Sequence, residues 1–360
     1  MIYLNNAATT LDKPEGVKEA RRGLSGVTAT TEEIKERMAK LLKVKNAENI
    51  LLTHSGTEAL ELALRAYIGE GEHVIATVNE MDSTWAVLEQ MGQELGVTLS
   101  TVGVNPYGLL NYDEIEGLVR PETTTIVCAH GSAVTGNLVD LDKVCTIARR
   151  HKLRVISDGC QAVGATDMNL EAVGVDVYCF TGHKKLMGPH CIGGICLKDG
   201  KLEEFLAGAD AAPQLKEKLD TLAPETLGAM AIALDFIKEK GIYGIAMCPH
   251  RLAKRFFESV SSMDAVRIYG DFGTGNRIPT VALSVEGFTP EQVKEHMAKK
   301  YGIAVNVGLQ DCKKLHEALG TAETGLTRFS FGYFNTRRDV NDTIWAMMDL
   351  LGLKDLYYLA

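Results

Sequence analysis

From about residue 32 the chain alternates between two periodicities, and that alternation constrains its fold more than any other feature. EEIKERMAKLLKV has helical spacing, NILLTH (49–54) is a short apolar run, and TEALELALRAYI is helical again. HVIATV, helix DSTWAVLEQMGQELG, VTLSTVGV, TTTIVCAH, helix DLDKVCTIARRHK, LRVISDG, VDVYCF and IGGICLK continue the series. Short Val/Ile-rich runs separated by amphipathic helices predict a mostly parallel wound sheet covered on both faces. In such sheets ligands sit outside the carboxyl ends of the strands. After PETLGAMAIALDFIKEKG (224–241), which reads as a long linking helix, the order changes. Helix RLAKRFFESVSSM, strands VRIYG and TVALSV, helix TPEQVKEHMAKKYG, strand LTRFSFGYF and helix RRDVNDTIWAMMDLL describe a smaller α+β domain. The expected division is a large α/β domain over 1–240 and a small domain over 241–360. The N-terminal segment is expected to pack on the small one.

Bulk properties narrow the function classes. A chain of 360 residues suits a large domain with a smaller one. A net charge of −9 argues against nucleic acid, which demands a basic stripe to displace counterions. The eight cysteines are scattered singly, most of them within apolar segments, and read as reduced, buried thiols. Cys191 and Cys196 lack the spacing of a zinc site. MIYLNNAATT has neither the basic nor the apolar region of a signal peptide, and no apolar run approaches a membrane span. The expectation is a cytoplasmic protein.

Two strand ends carry the chemistry. LRVIS ends in Asp158, with Gln161 three residues on, and VDVYCF runs into Thr181-Gly182-His183-Lys184. An acid to hold a ring nitrogen and a lysine to hold an aldehyde carbon, one strand apart, are what pyridoxal phosphate requires. Taken singly, Lys184 would be an ordinary surface lysine and Asp158 a strand-end cap. Their placement together argues otherwise. The phosphate needs a helix N-terminus preceded by small residues. THSGTEALELAL supplies one: Ser55 and Gly56 make the turn and Thr57 opens the helix, although such a sequence is often only a cap. Thr181 and His183 add further phosphate donors. Arg328 stands on the otherwise apolar strand LTRFSFGYF. A buried arginine needs an anion, either an internal carboxylate or the substrate's.

With these motifs the chain resembles the class V aminotransferase family of fold-type I pyridoxal-phosphate enzymes, in its cysteine desulfurase and selenocysteine lyase branch. The resemblance runs through IYLNNAATT, HSGTEALELAL, AHGSAVTGNLVDL, SDGCQAVG, VDVYCFTGHKKLMGP and TRFSFGYFNT. It implies Lys184 as the Schiff-base lysine, Asp158 on the pyridine nitrogen and Gln161 on the ring hydroxyl. Ser55, Gly56, Thr57, Thr181 and His183 would hold the phosphate, and Asn6 and Arg328 would serve the substrate. It also implies a homodimer and a possible sulfur-acceptor protein.

The departures fall on the substrate side. Met81 stands where the branch places a ring-stacking histidine; a thioether can pack on the ring but cannot shuttle protons. Ala133 in GSAVTG replaces an asparagine, and Asn306 an arginine. The early loop GLSGVTATTEE looks shortened. In GLQDCKKLH the nucleophilic cysteine's position is Asp311, with Cys312 one residue late. Asp311 could act as an acid on a leaving group. Cys312 could act as a thiol if the loop slips, or it could start a helix and pack inward. The expected activity is a C–S or C–Se lyase of desulfurase type. The alternative is an aminotransferase or epimerase of another amino acid. Joint retention of Asp158, Gln161, His183 and Lys184 argues against a non-catalytic scaffold.

Overall fold

The computed structural model describes residues 1–353 apart from Gly275. The last seven positions of the expected small domain, 354–360, lie outside the described residues. A seven-stranded sheet dominates, in the order β2-β8-β7-β6-β5-β3-β4. For reference, β1 is Ile2–Tyr3, β2 Ile50–Thr53, β3 His73–Thr77, β4 Thr98–Val102 and β5 Thr123–Ala129. Next come β6 at Arg154–Asp158, β7 at Val177–Thr181 and β8 at Gly193–Leu197. Neighbours β4-β3-β5-β6-β7 pair in parallel, whereas β8 runs antiparallel to both β7 and β2. The sheet is therefore mostly parallel. Two apolar layers sandwich it. Met38, Leu42, Ile126 and Phe180 belong to one, and Leu60, Leu64, Trp85 and Val127 to the other. This is why its strands read as continuous apolar runs rather than alternating ones.

A second unit follows the helix Pro224–Lys240 and the Gly241 turn, at φ 72°. Strands β9 (Val266–Tyr269), β10 (Thr280–Val285), β11 (Ile303–Ala304), β12 (Asn306–Gly308) and β13 (Leu326–Ser330) belong to it. Its four-stranded sheet has the order β12-β13-β10-β9, antiparallel throughout, and has its own core around Phe256, Phe329 and Phe331. The chain's first residues join this unit. β1 pairs in parallel with β11, Leu4 enters the core, and Asn5 bridges to Ser330.

The helix read from the sequence as RLAKRFFESVSSM begins earlier: it runs Ile242–Val260 with Pro249 inside it. Proline has no N–H, so the carbonyl of Ile245 loses its helical partner there. Amphipathic burial of Ile245, Leu252, Ala253 and Phe256 outweighs that loss. Among the described residues no helix is long and apolar enough to cross a membrane.

Candidate active site

The carboxyl ends of β3, β5, β6 and β7 lie side by side and carry most of the predicted site. Behind them stands the N-terminus of the helix Gly56–Tyr67, so the helix opens at Gly56, one residue before the expected Thr57. Ser55 is its cap, accepting a hydrogen bond from Glu58 N at 3.0 Å. Thr57 is exposed in the first turn. Gly56 cannot be replaced without movement. A Cβ there would come within 2.3 Å of Cys160 Sγ and 3.2 Å of Thr181 Cβ. From the other side, Gly193 presses on Ser55, where a Cβ would meet the carbonyl carbon at 2.5 Å. These two glycines bring backbone N–H groups and the positive end of a helix dipole against Thr181, an arrangement suited to a phosphate.

The lysine loop is held from the N-terminal segment. The carbonyl of His183 accepts from Thr10 N at 3.1 Å, Thr9 Oγ1 at 3.2 Å and Lys13 Nζ at 2.9 Å. The carbonyl of Lys184 accepts from Thr10 Oγ1 and, at 3.0 Å, from Met187 N. Lys184 is thus presented on a backbone with little freedom. The His183 ring stacks on His190 with centroids 4.4 Å apart, and its Nδ1 has no partner among the described residues. Burial, helped by His190, Lys184 and Lys13, pushes its pKa down to about 3. A neutral ring there offers a phosphate one N–H donor.

On the ring side, Asp158 ends β6 and accepts from Cys160 N at 2.8 Å. Gln161 is buried; its amide donates to the Ala7 carbonyl at 3.1 Å, and its Oε1 has no partner. An orphaned buried acceptor needs a donor, and a cofactor hydroxyl is one. Sequence reasoning missed Glu80, although an acid after the run HVIATV carried the same signal as Asp158. It is fully buried and accepts from Thr77 Oγ1 at 2.7 Å and Ala129 N at 2.6 Å. Burial, reinforced by the charge of Asp158, raises its pKa to about 8. Glu80 therefore carries a proton at neutral pH. Met81 caps the next helix, Asp82–Leu95, and its Sδ lies 3.5 Å from Cys312 Sγ.

The substrate side departs most from expectation. Arg328 is 3% exposed; it donates from Nη1 to the Ala133 carbonyl at 2.8 Å and from Nη2 to Asn5 Oδ1 at 3.0 Å. Its Nε has no partner among the described residues. Among the described residues no carboxylate lies within ion-pair distance, so the internal salt bridge considered from sequence is absent. Asn6, expected on the substrate, instead spends its amide N–H groups inside the protein. They point to Tyr3 O, Ser330 O and Asn335 Oδ1 at 3.2, 2.9 and 3.1 Å. The asparagine that touches Arg328 is its neighbour, Asn5. Asp311 is exposed, with a left-handed φ of 58°, and its carbonyl accepts from Asp82 N at 2.7 Å. Cys312 is fully buried, immediately before the helix Lys313–Leu319, and burial pushes its thiol pKa up. Buried thiols are inert, because the thiolate is the nucleophile. Asn306 pairs with Arg328 in the β12–β13 register but turns its Oδ1 to Val307 N at 2.9 Å.

The residues present thus fit pyridoxal phosphate on structural grounds: a glycine-lined helix N-terminus, an orphaned Gln161 oxygen, and Lys184 and Asp158 at adjacent strand ends. Comparison with known proteins agrees. The family model for class-V aminotransferases matches residues 2–342. A probable cysteine desulfurase of Halalkalibacterium halodurans is 26% identical, covering 95% of this chain and 91% of its own. A cysteine desulfurase from Thermococcus onnurineus superposes with a TM-score of 0.85 at 22% identity, over 97% of this chain and 94% of its own. One from Escherichia coli gives the same TM-score at 24% identity, covering 98% and 94%. The chain belongs to the class-V aminotransferase family and is an enzyme that works with pyridoxal phosphate.

Proposed function

We propose that this enzyme cleaves the C–S or C–Se bond of an amino acid in the manner of the cysteine desulfurases it is similar to. The observation that carries the reading is Arg328, which among the described residues is buried, without a carboxylate at ion-pair distance and with its Nε unpaired. Bound pyridoxal phosphate supplies an electron sink for the substrate's α-carbon. Lys184 holds its aldehyde carbon and, once displaced, moves the α-proton. Asp158 keeps the pyridine nitrogen protonated, and Gln161 takes the ring hydroxyl. Thr57, Thr181, neutral His183 and the Ser55–Gly56 backbone hold the phosphate. Met81 packs on the ring, and Arg328 seats the α-carboxylate.

Burial of Cys312 and exposure of Asp311 favour a thiol-independent version of this cleavage. In it, Asp311 protonates the departing sulfur, and cysteine plus water yields pyruvate, ammonia and hydrogen sulfide without an outside oxidant or reductant. The rest of the reading is a two-domain subunit divided at Gly241 and a cytoplasmic homodimer with its sites at the subunit interface. A sulfur-acceptor protein belongs only to the persulfide version.

The test is incubation with L-cysteine. Pyruvate with sulfide is expected, and this should persist in a Cys312→Ser variant. Alanine with sulfide, lost in that variant, would restore the persulfide route. Turnover of neither product would sink the lyase reading. Lys184→Ala should abolish the visible absorbance of the lysine-linked cofactor; an unchanged band would overturn the assignment of Lys184.

A further inference from the structure

The residue after the cofactor lysine is also a lysine, and its environment differs. Lys185 is 7% exposed, and its Nζ has no hydrogen-bond partner among the described residues. It ends at a cavity of about 20 Å³ where four segments converge: the N-terminal segment (Thr10), the Gly164–Ala165 turn, the Pro249 turn of the helix Ile242–Val260, and the Phe331–Tyr333 stretch after β13. Among the described residues no aspartate or glutamate lines it. What the wall offers is neutral: apolar side chains and the turn where Pro249 has freed the carbonyl of Ile245.

The charged groups around Lys185 are of its own sign. Arg328 and Lys184 both act on it, and it acts in turn on His250, which also feels Arg277. Arg277 is itself buried without an acid in contact. It donates to the carbonyls of Asp271 and Thr135 at 2.5 and 2.9 Å and to that of Thr280, and it stacks over the Phe272 ring at 3.4 Å. Tyr333 completes the titratable neighbours. The junction is therefore a buried cationic pocket in which, among the described residues, no carboxylate comes within ion-pair distance of Lys185, Arg277 or Arg328; Asp271 and Asp311 act on the two arginines only from further off. A charged amine in such a place is costly, and an approaching anion lowers the cost. The cavity itself holds about one water's volume, too little for a carboxylate. The anion must then sit at Arg328, and Lys185 must act through the field rather than by contact.

We propose that Lys185 is a proton-accepting electrostatic partner of the substrate-carboxylate site: seating an anion on Arg328 draws a proton onto Lys185, and the charged Lys185 in turn tightens the anion. The inference rests on the Arg328 assignment above. Before an anion arrives, burial first and then the positive charge of Arg328 hold the Lys185 pKa down, to about 7 when Lys184 is also a free ammonium. Raising the pH through that value removes the charge and weakens anion binding, and reciprocity makes anion binding take up a proton.

Propionate tests this, because it carries the carboxylate but has no amino group with which to displace Lys184. Its Kd would be measured on the holoenzyme between pH 7 and 9 by calorimetry in buffers of different ionisation enthalpy. The cofactor's own titration, read from its absorbance, is subtracted. In the native enzyme Kd should rise several-fold over this range, with net proton uptake on binding at pH 8. In Lys185→Met both effects should vanish, and Lys185→Arg should bind propionate at pH 9 nearly as tightly as at pH 7. Lys185→Gln serves if the methionine variant fails to fold. A pH profile unchanged by Lys185→Met or Lys185→Gln, or one already flat in the native enzyme, overturns the proposal. In either case cysteine cleavage would continue, so the proposed function stands or falls separately on its own products.

Discussion

Among the described residues three buried cations, Arg328, Lys185 and Arg277, lack a carboxylate partner, and the consequences of the first two differ. Arg328 has hydrogen-bond partners on both terminal nitrogens but no carboxylate within ion-pair distance among the described residues, as the proposed substrate site requires. Arg328→Met should leave cofactor absorbance intact and raise KM for the amino acid by about 10²–10³, since losing one partner of a buried charge pair costs about 2–5 kcal/mol. Retention of a native KM in steady-state assays would move the carboxylate elsewhere. For Lys185 the sign runs the other way. Its pKa falls from 10.5 when unfolded to about 7 when folded, so below pH 10.5 the unfolded chain holds the extra proton. The penalty is fully present below about pH 7 and disappears as pH rises toward 10.5. At about 1.4 kcal/mol per unit, it is on the order of 5 kcal/mol at pH 7. Lys185→Met should therefore raise stability at pH 7 in urea unfolding by a few kcal/mol, and much less at pH 10; equal gains at both would refute the burial argument. Sequence could expose Arg328, because an arginine in LTRFSFGYF violates its strand's pattern. It could not expose Lys185, whose burial depends on the Gly164–Ala165 turn, Pro249 and the Phe331–Tyr333 stretch meeting around it. Asn5 rather than Asn6 meets Arg328, and two adjacent identical side chains give the sequence no way to choose between them; the Asn5–Ser330 bridge decides it.

Elements position what residues perform. The helix Gly56–Tyr67 approaches β6 and β7 so closely that Gly56 faces Cys160 Sγ. Gly56→Ala should weaken cofactor affinity at least tenfold, by forcing the helix N-terminus back. Adding Cys160→Ala should recover part of it, because the obstructing sulfur is gone. Equilibrium dialysis of the cofactor against the four proteins of that cycle reads the coupling, and additive losses would show that the contact is unimportant. Alternation of short strands and amphipathic helices made the large sheet legible, because its parallel strands are buried on both faces. Elements set by tertiary contact were not legible. The helix Leu202–Gly208 was not anticipated, although Phe205 packs on Tyr67 and Gly208 abuts the Ala66 carbonyl. The helix read from residue 251 starts at Ile242 instead, because the cost of Pro249 is local while the amphipathic face that outweighs it spans about five turns.

At the scale of the whole molecule, the candidate site draws on both larger sheets and on the N-terminal segment. Asp158, Gln161, His183 and Lys184 stand on the large sheet, Arg328 on the small one, and Thr9, Thr10 and Lys13 clamp the lysine loop. Family membership and the cofactor were readable because the large-sheet residues lie in two contiguous motifs. The reaction was less so, because Asp311, Cys312 and Met81 acquire meaning only when β12 and the helix Asp82–Leu95 meet. The clamp also has a consequence in time. Asn5 pairs with Ser330 and Thr10 with His183, so closing the clamp joins chain segments more than 300 and 170 positions apart. Such long closures come late in folding, after local and single-sheet contacts have formed. In refolding from urea, fluorescence from Trp85 and Trp345, one in each unit, should therefore recover before the cofactor's visible band does. Simultaneous recovery would argue against late closure. Capture of the cofactor then marks the moment at which distant parts of the chain finally agree on one structure.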